Sequence, residues 1–438
     1  MLISETPNHI GESVSLSGWV HIRRDHGKLI FIDLRDRTGF IQMIVVPDHV
    51  EAYEIAKNIR NEFAIRVEGK VKSRPGGSQT DTAKTGGVEI EVTSLLVLSE
   101  AENILPIEPS EATLDVQQKT LLDNRQLSLR NRKVNAIFHV YASLLQSYAQ
   151  TMTNEGFLEI KSPKILSAAT EGGANFFKIK YFDRNAYLAQ SPQFYEQAGV
   201  GAFERVFEIG TVFRAEPHFT TRHVNEYTSL DAEMGFITDF GDVMTELEKV
   251  MMAMFAHIRT QCSEELALHE MDAPSEVPIP RMKLTEAWQI LEQEYGKKME
   301  GKDVDIDPEG ERLICEYVKK TYDSDLVFLT HYPTSARPFY TKPNEDPQFT
   351  DSFDLLFRGV EIASGGQRIH NYNDLVQSIT SHGLQPDDFK HYLDNFRYGM
   401  PPHGGWGLGS ERIVQKLLGL KSIKEAILFP RDVRRLTP

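Results

Sequence analysis

The chain predicts an α+β protein in two parts: a small five-stranded barrel, then a larger domain on a largely antiparallel sheet flanked by helices. Three observations predict it. Five short runs rich in β-formers, broken by turn signals, fill residues 14–98. Beyond residue 130, helical stripes and strands follow one another without the regular alternation of a doubly wound sheet. A length of 438 residues, with 40% hydrophobic and 25% charged content, is ordinary globular composition but too long for one small core.

The five runs are 14–19, 29–34, 41–46, 64–71 and 88–96, and residues 50–61 have helical character. Five strands with a helix after the third is the order of an OB-fold barrel. Such barrels bind single-stranded nucleic acid on a basic face that bears aromatic rings. Phe31 follows the basic turn Arg23-Arg24-Asp25-His26-Gly27-Lys28, and alternation alone suits it to that face or to the barrel core. Residues 1–100 read as this domain, and 101–130, with Pro106 and Pro109, as a hinge.

The second domain, 131–438, opens with a helix. Val134, Ile137, Phe138, Tyr141, Leu144, Leu145 and Tyr148 keep the spacing of one buried stripe, and Gly156 suits the cap. Strands are expected from 157, at 204–216 and at 226–234. A helix is expected at 240–258 with Val243, Leu247, Val250, Met251 and Met254 on one side, and a last helix at 411–418. Residues 265–345 mix helices and loops and read as an insertion.

Composition excludes several classes. Two cysteines, Cys262 and Cys315, cannot staple a secreted scaffold or build a cysteine-based zinc site, and read as reduced thiols. No apolar stretch is long enough to span a bilayer, and Met1 to Val14 lacks the order of a signal peptide, so a cytoplasmic protein is expected. The net charge of -15 argues against a nucleic-acid partner overall. Residues 1–100, however, hold 12 Lys+Arg against 14 Asp+Glu, a net of -2, so a local basic face survives there.

Three constellations carry chemistry. In the first, the strand ending Phe213-Arg214-Ala215-Glu216 puts Glu208, Arg214 and Glu216 on one face. A loop with His218, Arg222 and His223 follows, and the return strand puts Ser229, Asp231 and Glu233 on one face. An arginine fork beside a basic loop suits phosphate oxygens, and a surface ion-pair network is the plainer reading. In the second, Asp354 and Glu361 sit in apolar strand sequence. Buried acids need a partner, either Mg²⁺ with ATP oxygens or a nearby arginine such as Arg358. Ser364 and Arg368 follow directly. In the third, Gly404-Gly405-Trp406-Gly407-Leu408-Gly409-Ser410-Glu411-Arg412 runs into the last helix. It fits neither the dinucleotide fingerprint nor the P-loop. Its glycines suit a nucleotide lying against backbone with Arg412 over it.

Together these patterns resemble the class II aminoacyl-tRNA synthetases. Their second motif is a strand ending Phe-Arg-x-Glu with a loop and return strand, and their third is Gly-x-Gly-x-Glu-Arg, matched by residues 407–412. Gly156-Phe157-Leu158-Glu159-Ile160-Lys161-Ser162-Pro163 looks like the first motif, which forms dimers. Gly18-Trp19-Val20 and Phe31-Ile32-Asp33-Leu34-Arg35-Asp36 are similar to the anticodon-binding barrel of the aspartate/asparagine/lysine subgroup. Thr170-Glu171-Gly172-Gly173, Gln190-Ser191-Pro192-Gln193 and Phe429-Pro430-Arg431-Asp432 resemble the aspartyl enzymes, and the compact length their archaeal-type, non-discriminating branch.

The resemblance implies ATP- and Mg²⁺-dependent ligation of L-aspartate to tRNA(Asp), and also to tRNA(Asn), by a homodimer through an aspartyl-adenylate. It implies that Arg214 bridges the α-phosphate and the substrate carboxylate and that Glu216 reads adenine. Arg222 and His223 hold the distal phosphates and Arg412 stacks on the base, with Val224, Gly409, Ser410 and Glu411 completing the nucleotide site. Asp354, Glu361 and Ser364 hold metal. Glu171 and Gln193 orient the amino acid, Arg368 takes its side-chain carboxylate, and Asp231 and Ser364 line its pocket. In the barrel, Phe31 stacks on an anticodon base, Gln42 reads one, and Arg24, His26 and Pro75 lie near the anticodon.

One position departs from the family pattern. After Ser-Pro-Gln the family has a hydrophobic residue, an aromatic one and a lysine that helps bind the aspartate side chain and pairs with the acid at Asp231. Here Glu196 stands in the lysine's place. The small residues of Gln197-Ala198-Gly199-Val200-Gly201-Ala202 suit a wider pocket, and Lys178 or Lys180 suits compensation. Two further readings follow: altered specificity, for asparagine or an aspartate analogue, and a catalytically silent tRNA-binding paralogue.

Overall fold

The structure, a computed structural model, describes residues 1–74, 85–167, 175–298 and 305–437. The chain divides into two compact units, Met1–Arg132 and Lys133–Pro438.

In the first unit β1 (Ser13–His26), β2 (Leu29–Asp36), β3 (Gly39–Val45), β4 (Ala64–Ser73) and β5 (Val88–Ser99) close into a barrel of order β1-β2-β3-β5-β4. The helix Val50–Asn58 follows β3, as in an OB-fold. Barrel closure comes from β3 and β5, which pair in parallel. Ile30, Ile32 and Leu34 of β2 and Ile41, Met43 and Val45 of β3 fill the interior. The pleat therefore turns Phe31 and Gln42 outward, and Phe31 is half-buried on the outer face, not a core residue. Glycine is required at Gly18, where a Cβ would run into the Arg35 carbonyl of the neighbouring strand.

The second unit contains β6 (Leu158–Glu159), β7 (Ile165–Leu166), β8 (Lys178–Tyr181), β9 (Arg184–Leu188), β10 (Arg205–Phe213) and β11 (Glu226–Gly235). These are followed by β12 (Arg281–Lys283), β13 (Leu326–Thr330), β14 (Ser352–Phe357), β15 (Val360–Gln367) and β16 (His403–Gly409). Eight strands form one sheet of order β12-β13-β14-β15-β16-β11-β10-β6, and β7, β9 and β8 form a small second one. The large sheet is mixed. Its end pairs β12–β13 and β10–β6 run parallel, and every pair between them is antiparallel. Parallel neighbours need a crossover. The helices Leu284–Tyr295 and Pro308–Tyr322 lie between β12 and β13, and Gln193–Phe203 lies between β6 and β10.

The helix Arg132–Asn154 buries Ile137, Val140, Leu144, Tyr148 and Met152, flanked by Phe138, Tyr141 and Leu145. It ends at Gly156, whose φ of +82° is the left-handed conformation glycine adopts freely, and the Phe157 N–H closes back on the Met152 carbonyl. The helix Phe240–Gln261, capped by the Asp239 carboxylate, lays Val243, Leu247, Val250, Met251 and Met254 into the core beside Phe353, Leu355 and Trp406. β10 stops at Phe213, short of the expected Glu216, because the Ala215 N–H leaves the ladder for the Asn175 carbonyl. Among the described residues no helix is long and apolar enough to cross a membrane.

Candidate active site

β11, β16 and β15 lie side by side near the middle of the sheet, and their register sets Asp231, Gly407 and Ser364 in one row. Ser229 faces Gly409 in the same way. A Cβ on Gly407 would stand 2.8 Å from Asp231 Oδ1, so the glycine keeps the floor open between two polar side chains. Over this floor lies a cavity of about 310 Å³ whose lining is dominated by polar groups.

One wall is the end of β10 and its loop. Arg214 holds the start of the return strand through its N–H to the Asn225 carbonyl (3.0 Å), while its guanidinium lies over the Tyr227 ring at 5.7 Å and 3.8 Å from Glu216. His223 Nε2 lies 3.5 Å from Glu216. Burial lowers the His223 pKa below 6.5 against the pull of Glu216, helped by Arg412, His218 and Arg222. The same burial favours the neutral imidazole, whose ring nitrogens can still hydrogen-bond a ligand. Arg222 is ion-paired with Glu311, and Val224 is buried in the same wall. Opposite, Arg412 Nη1 donates to the Glu361 carbonyl at 2.8 Å and lies 3.6 Å from its carboxylate.

The metal set is split. Glu361 and Ser364 line the cavity. Asp354 is buried outside the lining, in a 2.9 Å ion pair with Arg337, whose other nitrogen donates to Ser364 Oγ at 2.9 Å. The arginine partner is Arg337 and not Arg358, which pairs with Asp325. At the helix start, Gly409, Glu411 and Arg412 line the cavity, but Ser410 is fully buried and donates to the Thr228 carbonyl. The Glu411 carboxylate accepts from the Thr228 N–H and the Tyr141 hydroxyl.

At the deep end stands a cluster of buried acids. Gln193, Asp231 and Arg368 line the cavity, and Glu233 lies behind them. Arg368 donates to both Glu233 oxygens, at 3.0 and 3.2 Å, and Gln193 donates to the same carboxylate at 3.0 Å. Ser229 donates to Asp231 at 2.9 Å. Glu196, one turn after Gln193, is 2% exposed and sits outside the lining, and its Oε1 has no hydrogen-bond partner among the described residues. Burial first, then the Asp231 and Glu233 carboxylates, hold its carboxyl well above the ordinary 4.5, against the pull of Arg368. Neither lysine proposed as compensation acts on it: Lys178 and Lys180 are exposed on β8. Nor does Gly199 widen the pocket, because a Cβ there would be 3.1 Å from Val206, and its absence lets the helix lie close on β10.

On the barrel, register pairs Phe31 with Arg24 and with Ile44, and Asp33 with Gln42. Arg24 is bound to Asp33 at 2.8 Å, and His26 meets Phe31 edge to face at 5.6 Å. Gln42 donates to Glu89 and accepts from Arg74. Glu171 and Pro75 lie outside the described residues.

The sequence reading missed Arg337, Tyr340 and Glu311, and quoted Gln190 in a motif without giving it a role in the site it lines. Arg337 and Tyr340 come from the turn before Thr341, in the segment read as an insertion, and Tyr340 lies under Arg368 at 5.5 Å. The only available signal was an arginine fixed between Ala336 and Pro338 near two aromatics.

An arginine-ringed cleft over glycine strands, on a mixed sheet whose inner pairs are antiparallel, and a five-stranded barrel in the same chain define a nucleotide-using, nucleic-acid-binding class of protein. The chain belongs to the class II tRNA synthetases (D, K and N), whose family model matches residues 117–433, and residues 14–98 match the OB-fold nucleic acid binding domain. It is 44% identical to the aspartate–tRNA(Asp/Asn) ligase of Deinococcus radiodurans, over 100% of this chain and 98% of the relative. It is 42% identical to the aspartate–tRNA(Asp) ligase of Thermococcus kodakarensis, over 98% and 97%. Among solved structures it is similar to asparaginyl-tRNA synthetase from Pyrococcus horikoshii complexed with asparaginyl-adenylate. That match has a TM-score of 0.90 and 33% identity, covering 99% of this chain and 98% of the other.

Proposed function

We propose that the chain ligates L-aspartate to tRNA(Asp), and to tRNA(Asn) as well, in two steps driven by ATP. The observation that carries most weight is the ring of Arg214, Arg222, His223 and Arg412 around one glycine-floored cleft with Arg368 at its deep end. In the first step an oxygen of the amino-acid carboxylate attacks the α-phosphorus of ATP. The bond to the bridging oxygen breaks, and pyrophosphate leaves. Arg214 bridges the two anions, Glu216 reads adenine, Arg412 lies on the base beside Gly409 and Val224, and Arg222 and His223 hold the departing phosphates. No protein nucleophile is needed; positioning and charge neutralisation do the work. In the second step a hydroxyl of the terminal adenosine of tRNA attacks the adenylate carbonyl, and AMP leaves.

Magnesium is part of this reading. The Glu361 carboxylate and the Ser364 hydroxyl are hard oxygen donors facing the cleft, which suits an ion that completes its shell with substrate phosphates. Among the described residues no group of three His, Cys, Asp or Glu could cage an ion alone. When bound, the ion would neutralise phosphate charge, while Arg337 keeps Asp354 occupied. A homodimer in the cytoplasm belongs to the reading too, with the β6 sheet edge, where Leu158 is exposed, open to a second copy.

Glu196 favours a second reading, an amino acid such as asparagine whose side chain is uncharged. Amino-acid-dependent pyrophosphate exchange separates the two: aspartate supports exchange under the first, asparagine alone under the second, and exchange with no amino acid defeats both. On the barrel, Phe31 and Gln42 read the anticodon. Phe31→Ala is expected to raise the KM for tRNA on the order of tenfold or more, since a stacked base is worth about 1–3 kcal/mol, while leaving tRNA-independent exchange unchanged. Equal charging by both proteins rules out stacking.

A further inference from the structure

The loop that carries Arg222 and His223 also carries Phe219, 51% exposed, which has no part in the mechanism above. Its surroundings are unusual. Lys424 Nζ stands 3.9 Å and Arg434 Cζ 4.1 Å from the ring centroid, both well inside the range of about 6 Å over which a cation is drawn to an aromatic face. Lys424 is 3% exposed and fixed by Asp432 at 2.6 Å, and the Arg434 N–H donates to the same carboxylate at 2.7 Å. One aspartate thus fixes the Lys424 ammonium and the Arg434 backbone, from which the exposed guanidinium reaches back over the ring. Backbone bonds tie the same C-terminal segment to the loop: Ile423 N–H to the Thr221 carbonyl at 3.0 Å, and Asn225 N–H to the Arg431 carbonyl at 2.8 Å. From Phe219 the contacts run inward. The Thr220 hydroxyl lies 2.6 Å from His223 Nδ1 and accepts from the Arg222 N–H at 3.1 Å.

We propose that Phe219, clamped between Lys424 and Arg434, is a positioning residue that presets the loop so that Arg222 and His223 meet the distal phosphates of the nucleotide. The C-terminal segment thereby becomes part of the ATP site. The inference rests on the nucleotide reading of the cleft. A loop ordered in advance spares the entropy of ordering it at each binding event, so the clamp acts on affinity more than on the chemical step.

The test compares Phe219→Ala, Phe219→Leu, Phe219→Tyr and Arg434→Gln in the full chain. It uses calorimetric titration with ATP and the KM for ATP in exchange, with melting temperature as a check on folding. Ala and Leu are expected to weaken ATP binding on the order of tenfold with kcat nearly unchanged, Tyr to restore it, and Arg434→Gln to give a smaller rise, on the order of threefold. Leu behaving like Phe overturns the clamp, because a merely space-filling ring would be replaced by it. If the Ala variant does not fold, the Leu and Tyr pair still decides. Calorimetry separates this inference from the functional one. ATP shifts as described without exchange on any amino acid keep the clamp and sink the ligase reading. Aspartate-dependent exchange with one ATP affinity across all variants does the reverse.

Discussion

Arg214→Ala is expected to lower amino-acid-dependent pyrophosphate exchange by about a thousandfold, with little change in melting temperature. The two expectations come from different environments of one side chain. Its guanidinium is about half exposed, 3.8 Å from Glu216 and over the Tyr227 ring. Exposed pairs of this kind contribute only about 0–1 kcal/mol to stability. In the reaction it would face two anions as charge spreads over the α-phosphate. Losing one preorganised donor at such a point costs about 10²–10³ in rate, and a phosphoryl-transfer arginine up to about 10⁵. Arg214→Lys should rescue little, because a single ammonium cannot fork between two oxyanions. Exchange within tenfold of wild type would remove Arg214 from the mechanism.

Glu196→Lys is expected to lower the KM for aspartate on the order of a hundredfold. The deep end of the site holds Glu196, Asp231 and Glu233 beside Arg368, whose fork is already given to Glu233. A unit charge about 4 Å away weighs about 4 kcal/mol even at an effective dielectric near 20. Folding meets this load by keeping the Glu196 proton, through burial first and then the Asp231 and Glu233 charges. A lysine would set a counter-charge among these carboxylates. The stability consequence has a definite sign. The folded pKa lies above the ordinary 4.5, so above pH 4.5 the native state holds a proton that the unfolded chain has released, and stability falls as pH rises through that window. Glu196→Gln should therefore raise the melting temperature at neutral pH, and the gain should vanish below pH 4.5. An aspartate KM untouched by Glu196→Lys, or a Gln variant with no pH-dependent gain, contradicts this view of the pocket.

What the sequence made legible was whatever local periodicity records. Turn signals and alternation located the five barrel strands, and the 3.6-residue stripe located the helix Arg132–Asn154. Asp231, Gly407 and Ser364 each stood out in a motif on its own strand, but the row they form is set by the sheet register. Contacts between distant segments were not legible. Arg337 reaches Ser364 across 27 residues and Arg222 reaches Glu311 across 89, and no periodicity links such pairs. Direction at element ends was hidden as well. Period two put Glu208 on the same face as Arg214, yet its carboxylate binds Ser162 and Lys164. Ser410 looked like a nucleotide ligand until the helix start turned its hydroxyl onto Thr228. The parallel ends of the sheet depend on crossovers that no single run of residues announces.

The decisive measurement is a crystal structure of the chain soaked with ATP and magnesium. The triphosphate should lie bent over β11, β16 and β15, with its α-phosphate at Arg214, its distal phosphates at Arg222 and His223, and its base beneath Arg412. A nucleotide found outside that cleft, or density for none at saturating ATP, contradicts the assignment of the site and every role given to its residues.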